Sequence, residues 1–315
     1  MSETLHTPPH TPETRQTLSR LVLALGLTLA FVVVEAAAGF FSNSLALLTD
    51  AAHNLTDVIA LALSWYALRL TARPANARQT YGYHRAGILV ALINSTTLAL
   101  IALGIFYEAY RRFMDPPHVQ AGVLIVVGAA AFVINLVTAL LLRKGSQGDL
   151  NLRSAFLHLM GDVLSTLGAV LAGVVILFTG WNWLDALVSV FIAVLILWNA
   201  GLILRETLDI LLESTPRDVD MTAMVNEILQ VPGVLGVHDL HVWSISRGLR
   251  TMSAHLLTDD LPISAGAAIQ AHVNSMLAVR YNIVHATLQL ECQGCEPDLL
   301  YCDIQEAHPV AARAP

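Results

Sequence analysis

Long apolar stretches fill the first two thirds of the chain. Six of them reach the roughly 20 residues a helix needs to cross a bilayer: Leu18–Phe41, Leu45–Leu68, Ala86–Tyr107, Val119–Leu142, Ala155–Phe178 and Leu184–Leu204. The connections between them are short, so neighbours are expected to run antiparallel. After about Glu213 the pattern changes. Asp218–Gln230 carries apolar residues at helical spacing (Met221, Met224, Val225, Ile228, Leu229) and stops before Pro232-Gly233. Two strand-like runs, Val234–Ser246 and Leu249–Thr258, meet at Arg247-Gly248. Pro262–Arg280 is helical, and Ile283–Glu291 alternates like a strand, with Ile283, His285, Thr287 and Gln289 on one side. The fold class expected is therefore an α-helical membrane protein of six transmembrane helices with a small C-terminal α+β domain in αββαβ order, ferredoxin-like and two-layered. The expected boundaries are a flexible N-terminus over 1–17, a six-helix membrane domain over 18–210, an α+β domain over 211–291 and a Cys-containing tail over 292–315.

Composition agrees with a membrane protein. Hydrophobic residues make up 55% of the chain and charged residues only 13%, about half the share in soluble domains. The net charge of -7 gives no support to nucleic-acid binding. Basic residues crowd one side of the spans: Arg15, Arg20, Arg69, Arg73, Arg78, Arg85, Arg143, Lys144, Arg153 and Arg205, against only Arg111 and Arg112 on the other. That asymmetry puts both termini, and the α+β domain, in the cytoplasm. Trp181 and Trp183 suit an interfacial belt in an external turn. The first 17 residues are polar and Pro/His/Thr-rich, unlike a secretory signal. Cys292, Cys295 and Cys302 sit together near the C-terminus, an odd count that argues against a disulfide-stapled extracellular domain.

Ionisable residues within apolar spans are costly and rare without a function. The second span holds Asp50, His53 and Asp57, the fifth holds His158 and Asp162, and Glu35 lies in the first. His53/Asp57 and His158/Asp162 are both i,i+4 pairs, which sets each pair on one helical face. Their local strings match as well: His-Asn-Leu-Thr-Asp-Val and His-Leu-Met-Gly-Asp-Val. Two imidazoles and two carboxylates form a four-coordinate N/O set suited to zinc. Interhelical hydrogen bonding would account for a lone His, but two matched pairs on different spans favour a metal site. Two carboxylates give the site a formal charge that a divalent cation cancels. Empty, it takes up protons instead, so metal binding releases them and metal/proton exchange follows. Asp50, one turn before His53, either orients that ring through a hydrogen bond or marks a helix end at the aqueous boundary.

These residues resemble the cation diffusion facilitators, a family of zinc-type metal/proton antiporters. The likeness runs from about Leu18 to Glu291. It is carried by Ser44–Asp57 (Ser-Leu-Ala-Leu-Leu-Thr-Asp-Ala-Ala-His-Asn-Leu-Thr-Asp), Tyr81–Ala86 (Tyr-Gly-Tyr-His-Arg-Ala), Ala155–Asp162 (Ala-Phe-Leu-His-Leu-Met-Gly-Asp), Val231–Val234 and His238–His241. The resemblance implies a Y- or V-shaped homodimer in which His53, Asp57, His158 and Asp162 of each protomer bind the transported ion. It implies zinc, with some tolerance of cadmium or cobalt, leaving the cytoplasm as protons enter. Departures are visible too. The segment Arg143–Leu152 is short and lacks the His-rich loop of many eukaryotic relatives, and the loop between spans two and three offers only His84 where some bacterial members have a second metal site. Arg85 reads as a phosphate-facing or ion-pair residue. A bacterial cytoplasmic membrane is the expected home.

In the α+β domain, His238, His255 and Glu291 match family positions that bind regulatory zinc; half-buried strand histidines satisfied by backbone are the competing reading. His238 and His241 point to opposite strand faces unless a bulge intervenes. Cys292 and Cys295 offer a soft-ligand pair, and His6 and His10 resemble a His/Cys motif that some relatives bring to the partner subunit. Three alternatives frame the transport reading. A broader exporter of cobalt, cadmium or nickel fits the same ligands. An intramembrane protease lacks the His-Glu-x-x-His string and an open coordination position, so no enzyme activity and no organic cofactor are expected. A membrane metal sensor that does not transport is the third.

Overall fold

The computed structural model describes residues 29–143 and 150–292, and the backbone alone of residues 141, 142, 150–155, 157 and 158. His6, His10, Cys295 and Cys302 lie outside the described residues. So do the side chains of Arg153 and His158. The described chain forms α1 (Leu29–Ser42), α2 (Leu45–Thr71), α3 (Ala86–Met114), α4 (Ala121–Arg143), α5 (Leu150–Thr179), α6 (Trp183–Leu211), α7 (Met221–Leu229), β1 (Gly236–Ser246), β2 (Leu249–Leu257), α8 (Ile263–Tyr281) and β3 (Ile283–Glu291). Helices α2 to α6 are each long and apolar enough to cross a membrane, and α1 is a shorter apolar helix over its described part. The described residues form two compact units, one up to Tyr66 with Ile93–Leu204, and one of Ala67–Leu92 with the chain from Arg205 on.

The first unit is a helical bundle whose joints are set by polar residues. The α1–α2 turn closes with the amide of Ser44 on the Gly39 carbonyl and that of Asn43 on Phe40. Asn43 takes the left-handed conformation, φ 54°, that such a helix stop requires. Ser44 then caps α2, its Oγ accepting from Leu47 N at 3.3 Å. The core has two parts. Leu45 with Ala102, Ala109, Ile192, Ile196 and Ala200 joins the start of α2 to α3 and α6. Leu47, Leu124, Ala169 and Ile176 join α2 to α4 and α5. Small residues allow close helix approach, the usual device in a bilayer: a Cβ on Gly39 would sit 3.0 Å from the backbone nitrogen of Leu48. The outward faces stay apolar, with Val33, Leu61, Leu100, Val126, Phe178 and Trp198 all exposed, as a lipid environment demands.

The second unit holds a three-stranded sheet in the order β1-β2-β3. The first two strands pair antiparallel around Arg247-Gly248, and β3 returns through α8 to pair parallel with β2. Met224, Ile228, Leu240, Met252, Leu256, Val273, Leu277 and Ile283 make the core between helices and sheet. The expected helix from Asp218 begins at Met221, because Asp220 stays extended and its carboxylate accepts from Ala223 N as the cap. Arg250 grips Asp218 through Nη2 at 2.7 and 2.6 Å, and that guanidinium holds the Asp218 carboxyl below its ordinary range. Arg85 forms an ion pair with Glu213 at 2.9 Å, so of the two readings of this residue the ion pair is the one observed.

Candidate functional site

On α2 the spacing of His53 and Asp57 does what an i,i+4 pair should, bringing His53 Nε2 to 3.6 Å from Asp57 Oδ2. The same nitrogen lies 3.4 Å from Asp162 Oδ1 on α5. His53 and Asp162 are buried, at 8% and 7% exposure, while the Asp57 side chain keeps a third of its surface open. One imidazole nitrogen and two carboxylates from two helices thus converge in an apolar bundle, with Asp57 the most exposed of the three. His158 occupies the turn of α5 before Asp162. Asp50 is 3% exposed and lies deeper; its Oδ2 accepts from Asn54 Nδ2 at 3.3 Å, and Ser165 Oγ donates to its Oδ1 at 3.4 Å.

A second cluster forms on the sheet. Residues His238 and His255 face each other across β1 and β2, their rings edge-to-face at 5.2 Å. Glu291, two residues past the His255 partner on β3, reaches both: Oε2 to His238 Nε2 at 3.1 Å and Oε1 to His255 Nδ1 at 3.0 Å. One ligand atom from each of the three lies within 4.8 Å of the others, a spacing that can hold a metal ion. A bulge does intervene between His238 and His241, with Asp239 left-handed at φ 49°. It does not bring His241 to the cluster, however. His241 Nε2 pairs instead with Asp239 Oδ1 at 3.1 Å. Cys292 follows Glu291 as an exposed free thiol.

Two family models cover the described elements, a cation efflux transmembrane domain over residues 21–212 and a cation efflux protein cytoplasmic domain over 216–293. The chain belongs to the cation diffusion facilitator family. Among its relatives, the metal cation efflux system protein CzcD of Cupriavidus metallidurans is 36% identical over 88% of this chain and 87% of its own. A cadmium, cobalt and zinc/H(+)-K(+) antiporter of Bacillus subtilis is 37% identical over 88% of this chain and 90% of its own. The zinc transporter ZitB of Pectobacterium atrosepticum is 37% identical over 93% of this chain and 91% of its own. Cation diffusion facilitators are metal transporters, not enzymes, and this member is a multi-pass membrane protein with a small C-terminal α+β domain.

Within this facilitator, several polar residues near the site escaped sequence reasoning. Asp185, at the head of α6, is 1% exposed; it accepts from Ser44 Oγ and Leu45 N at 2.6 Å each and from Ala46 N at 3.3 Å. Arg112 approaches it at 3.7 Å. This carboxylate completes the cap of the helix that carries His53 and Asp57. Its signal was present, as an acid within an apolar run, but it lacks a partner at helical spacing. Asn54 and Ser165 are ordinary polar residues by sequence; Asn54 lies one turn after Asp50 on α2, whereas only the packing of α5 on α2 brings Ser165 to Asp50.

Proposed function

We propose that this protein exports divalent metal, zinc foremost, from the cytoplasm in exchange for protons, through a site formed by His53, Asp57, His158 and Asp162. The observation that carries the reading is the approach of His53 Nε2 to carboxylates on two different helices, at 3.6 and 3.4 Å, inside a buried bundle. An imidazole–carboxylate set is one that zinc favours and alkali or magnesium ions do not. Two carboxylates facing a neutral imidazole carry charge that a divalent ion offsets. When the ion leaves, protons take its place, and the bilayer's dry interior enforces that replacement. Because the ligands lie on separate helices, a shift of α5 against α2 changes both the geometry and the side that is open, as alternating access requires.

The cytoplasmic His238, His255 and Glu291 are proposed as a regulatory zinc site that supports a homodimer, with Cys292 and Cys295 as additional soft ligands. We also propose that both termini lie in the cytoplasm, on the basic-residue asymmetry, and that the membrane is a bacterial inner membrane, with lipid as the surrounding medium. A second reading, export of cadmium and cobalt as well as zinc, is favoured by the likeness to the cadmium, cobalt and zinc/H(+)-K(+) antiporter of Bacillus subtilis, and a nitrogen/oxygen ligand set discriminates weakly among these ions. The test is flux into proteoliposomes under an imposed pH gradient, with zinc, cadmium and cobalt compared and with Asp57→Ala and Asp162→Ala beside the parent. Zinc flux in the parent that falls at least a hundredfold in both variants is the expected result. Undiminished flux in either variant rules out the shared site, and a parent that moves no metal returns the weight to a sensor.

A further inference from the structure

The segment that joins α2 to α3 has a charge pattern that the transport site does not use. Between Asp57 and Glu108 the chain carries four arginines, Arg69, Arg73, Arg78 and Arg85, and no acid. The loop that holds Arg78 is tied down. Asn76 Oδ1 accepts from the amides of Arg78 and Gln79 at 3.0 and 3.1 Å, and Asn76 Nδ2 donates to Tyr83 Oη at 3.3 Å. The Tyr81 ring meets that of His285 edge-on, with centroids 6.0 Å apart.

Beside this loop lies a cavity of about 580 Å³, within the roughly 300–1,000 Å³ of small-molecule sites. Its lining is of two kinds. Leu70 at the end of α2, Leu89 in the first turn of α3, and Trp243 and Ile245 of β1 supply apolar surface, while Arg78, Tyr83 and Arg85 supply donors. Among the described lining residues the one acid is Glu213, and Arg85 already pairs with it at 2.9 Å. Arg78 is exposed, and no carboxylate among the described residues pairs with its guanidinium. The cavity therefore keeps a net positive charge beside leucines of two membrane-crossing helices. An amphiphile with an anionic head fits that combination: its phosphate suits an arginine fork, and its chain suits the leucines. A free phosphate gains nothing from the leucines, and a head without net charge gains less from Arg78.

We propose that this cavity binds the phosphate headgroup of an anionic phospholipid, with Arg78 as its cationic partner and Leu70 and Leu89 beside the start of an acyl chain. The leaflet is the cytoplasmic one, which rests on the orientation proposed above; the binding itself depends neither on that orientation nor on metal export. A lipid held here touches the α2–α3 loop and also β1, the strand that carries His238.

The experiment is native mass spectrometry of the full chain in detergent, titrated with phosphatidylglycerol or with phosphatidylcholine of the same acyl chains. Its readout involves no metal, so it fails or succeeds apart from the export reading. The parent is expected to bind its first phosphatidylglycerol at least tenfold more tightly than phosphatidylcholine. Arg78→Gln narrows that preference about fivefold, the worth of one arginine at an anionic lipid surface, and leaves the unfolding temperature without added lipid unchanged. Arg111→Gln, at the other end of α3, keeps the preference within twofold of the parent. Glycerol phosphate, which has the headgroup phosphate but no chains, does not compete. A parent without the preference overturns the proposal, as does a preference within twofold of the parent in Arg78→Gln. An equal loss in Arg111→Gln also overturns it, because attraction is then spread over the basic surface. Competition by glycerol phosphate overturns the lipid assignment in favour of a free phosphate.

Discussion

Asp239 stands next to a proposed metal ligand without being one. Its left-handed backbone, φ 49°, marks the bulge in β1, and its carboxylate lies 3.5 Å from His255 Nε2 while the other ring nitrogen of His255 faces Glu291. A carboxylate behind a metal-binding imidazole fixes the ring and raises its basicity, and losing it costs about tenfold or more in affinity. Asp239→Asn is therefore expected to weaken zinc binding at the cytoplasmic cluster by about tenfold with the sheet intact, as read by calorimetric titration and circular dichroism. An unchanged affinity removes the role. At this scale the sequence was legible where spacing encodes contact: His53 and Asp57 are neighbours on any α-helix. Asp239 was not legible, because an odd strand separation conceals a bulge until pairing partners are known. Nor was Asp185, whose partners are 139 to 141 positions away.

Helix α2 carries half of the proposed transport ligands, and its first turn is held from outside itself. Ser44 and Asp185 satisfy the amides of Leu45, Ala46 and Leu47, while Arg112 pairs with the same carboxylate and donates to the Asn43 carbonyl. Removing one partner of a buried, charged and hydrogen-bonded group costs about 3 kcal/mol or more. Asp185→Ala is expected to destabilise the bundle by about that amount, with Asp185→Asn milder because the amide still accepts from Ser44. Thermal unfolding in detergent measures both. Equal stability of parent and alanine variant contradicts the capping role. Element type was legible throughout, because apolar runs of membrane length and the switch to strand alternation after Glu213 are strong patterns. Ends were less so. The start of α7 moved to Met221 because a cap decides where a helix begins, and hydrophobic periodicity does not report the cap.

For the whole molecule, the sequence carried fold class and family together, since a bilayer admits few architectures and the His-x-x-x-Asp pairs sit on spans that must be buried. What it did not carry was which polar residues meet across helices: Asp50 and Asn54 are an i,i+4 pair on α2, but Glu35 of α1 and Ser165 of α5 reach them from other helices, and no spacing rule links those. The central claim is that α2 and α5 share one metal ion in the membrane. Anomalous diffraction at the zinc edge, from crystals of the full protein soaked in zinc, tests it most directly. An anomalous peak is expected within coordination distance of His53, Asp57 and Asp162, separate from the peak at His238, His255 and Glu291, and absent in Asp162→Ala. Zinc found only on the cytoplasmic sheet would contradict it.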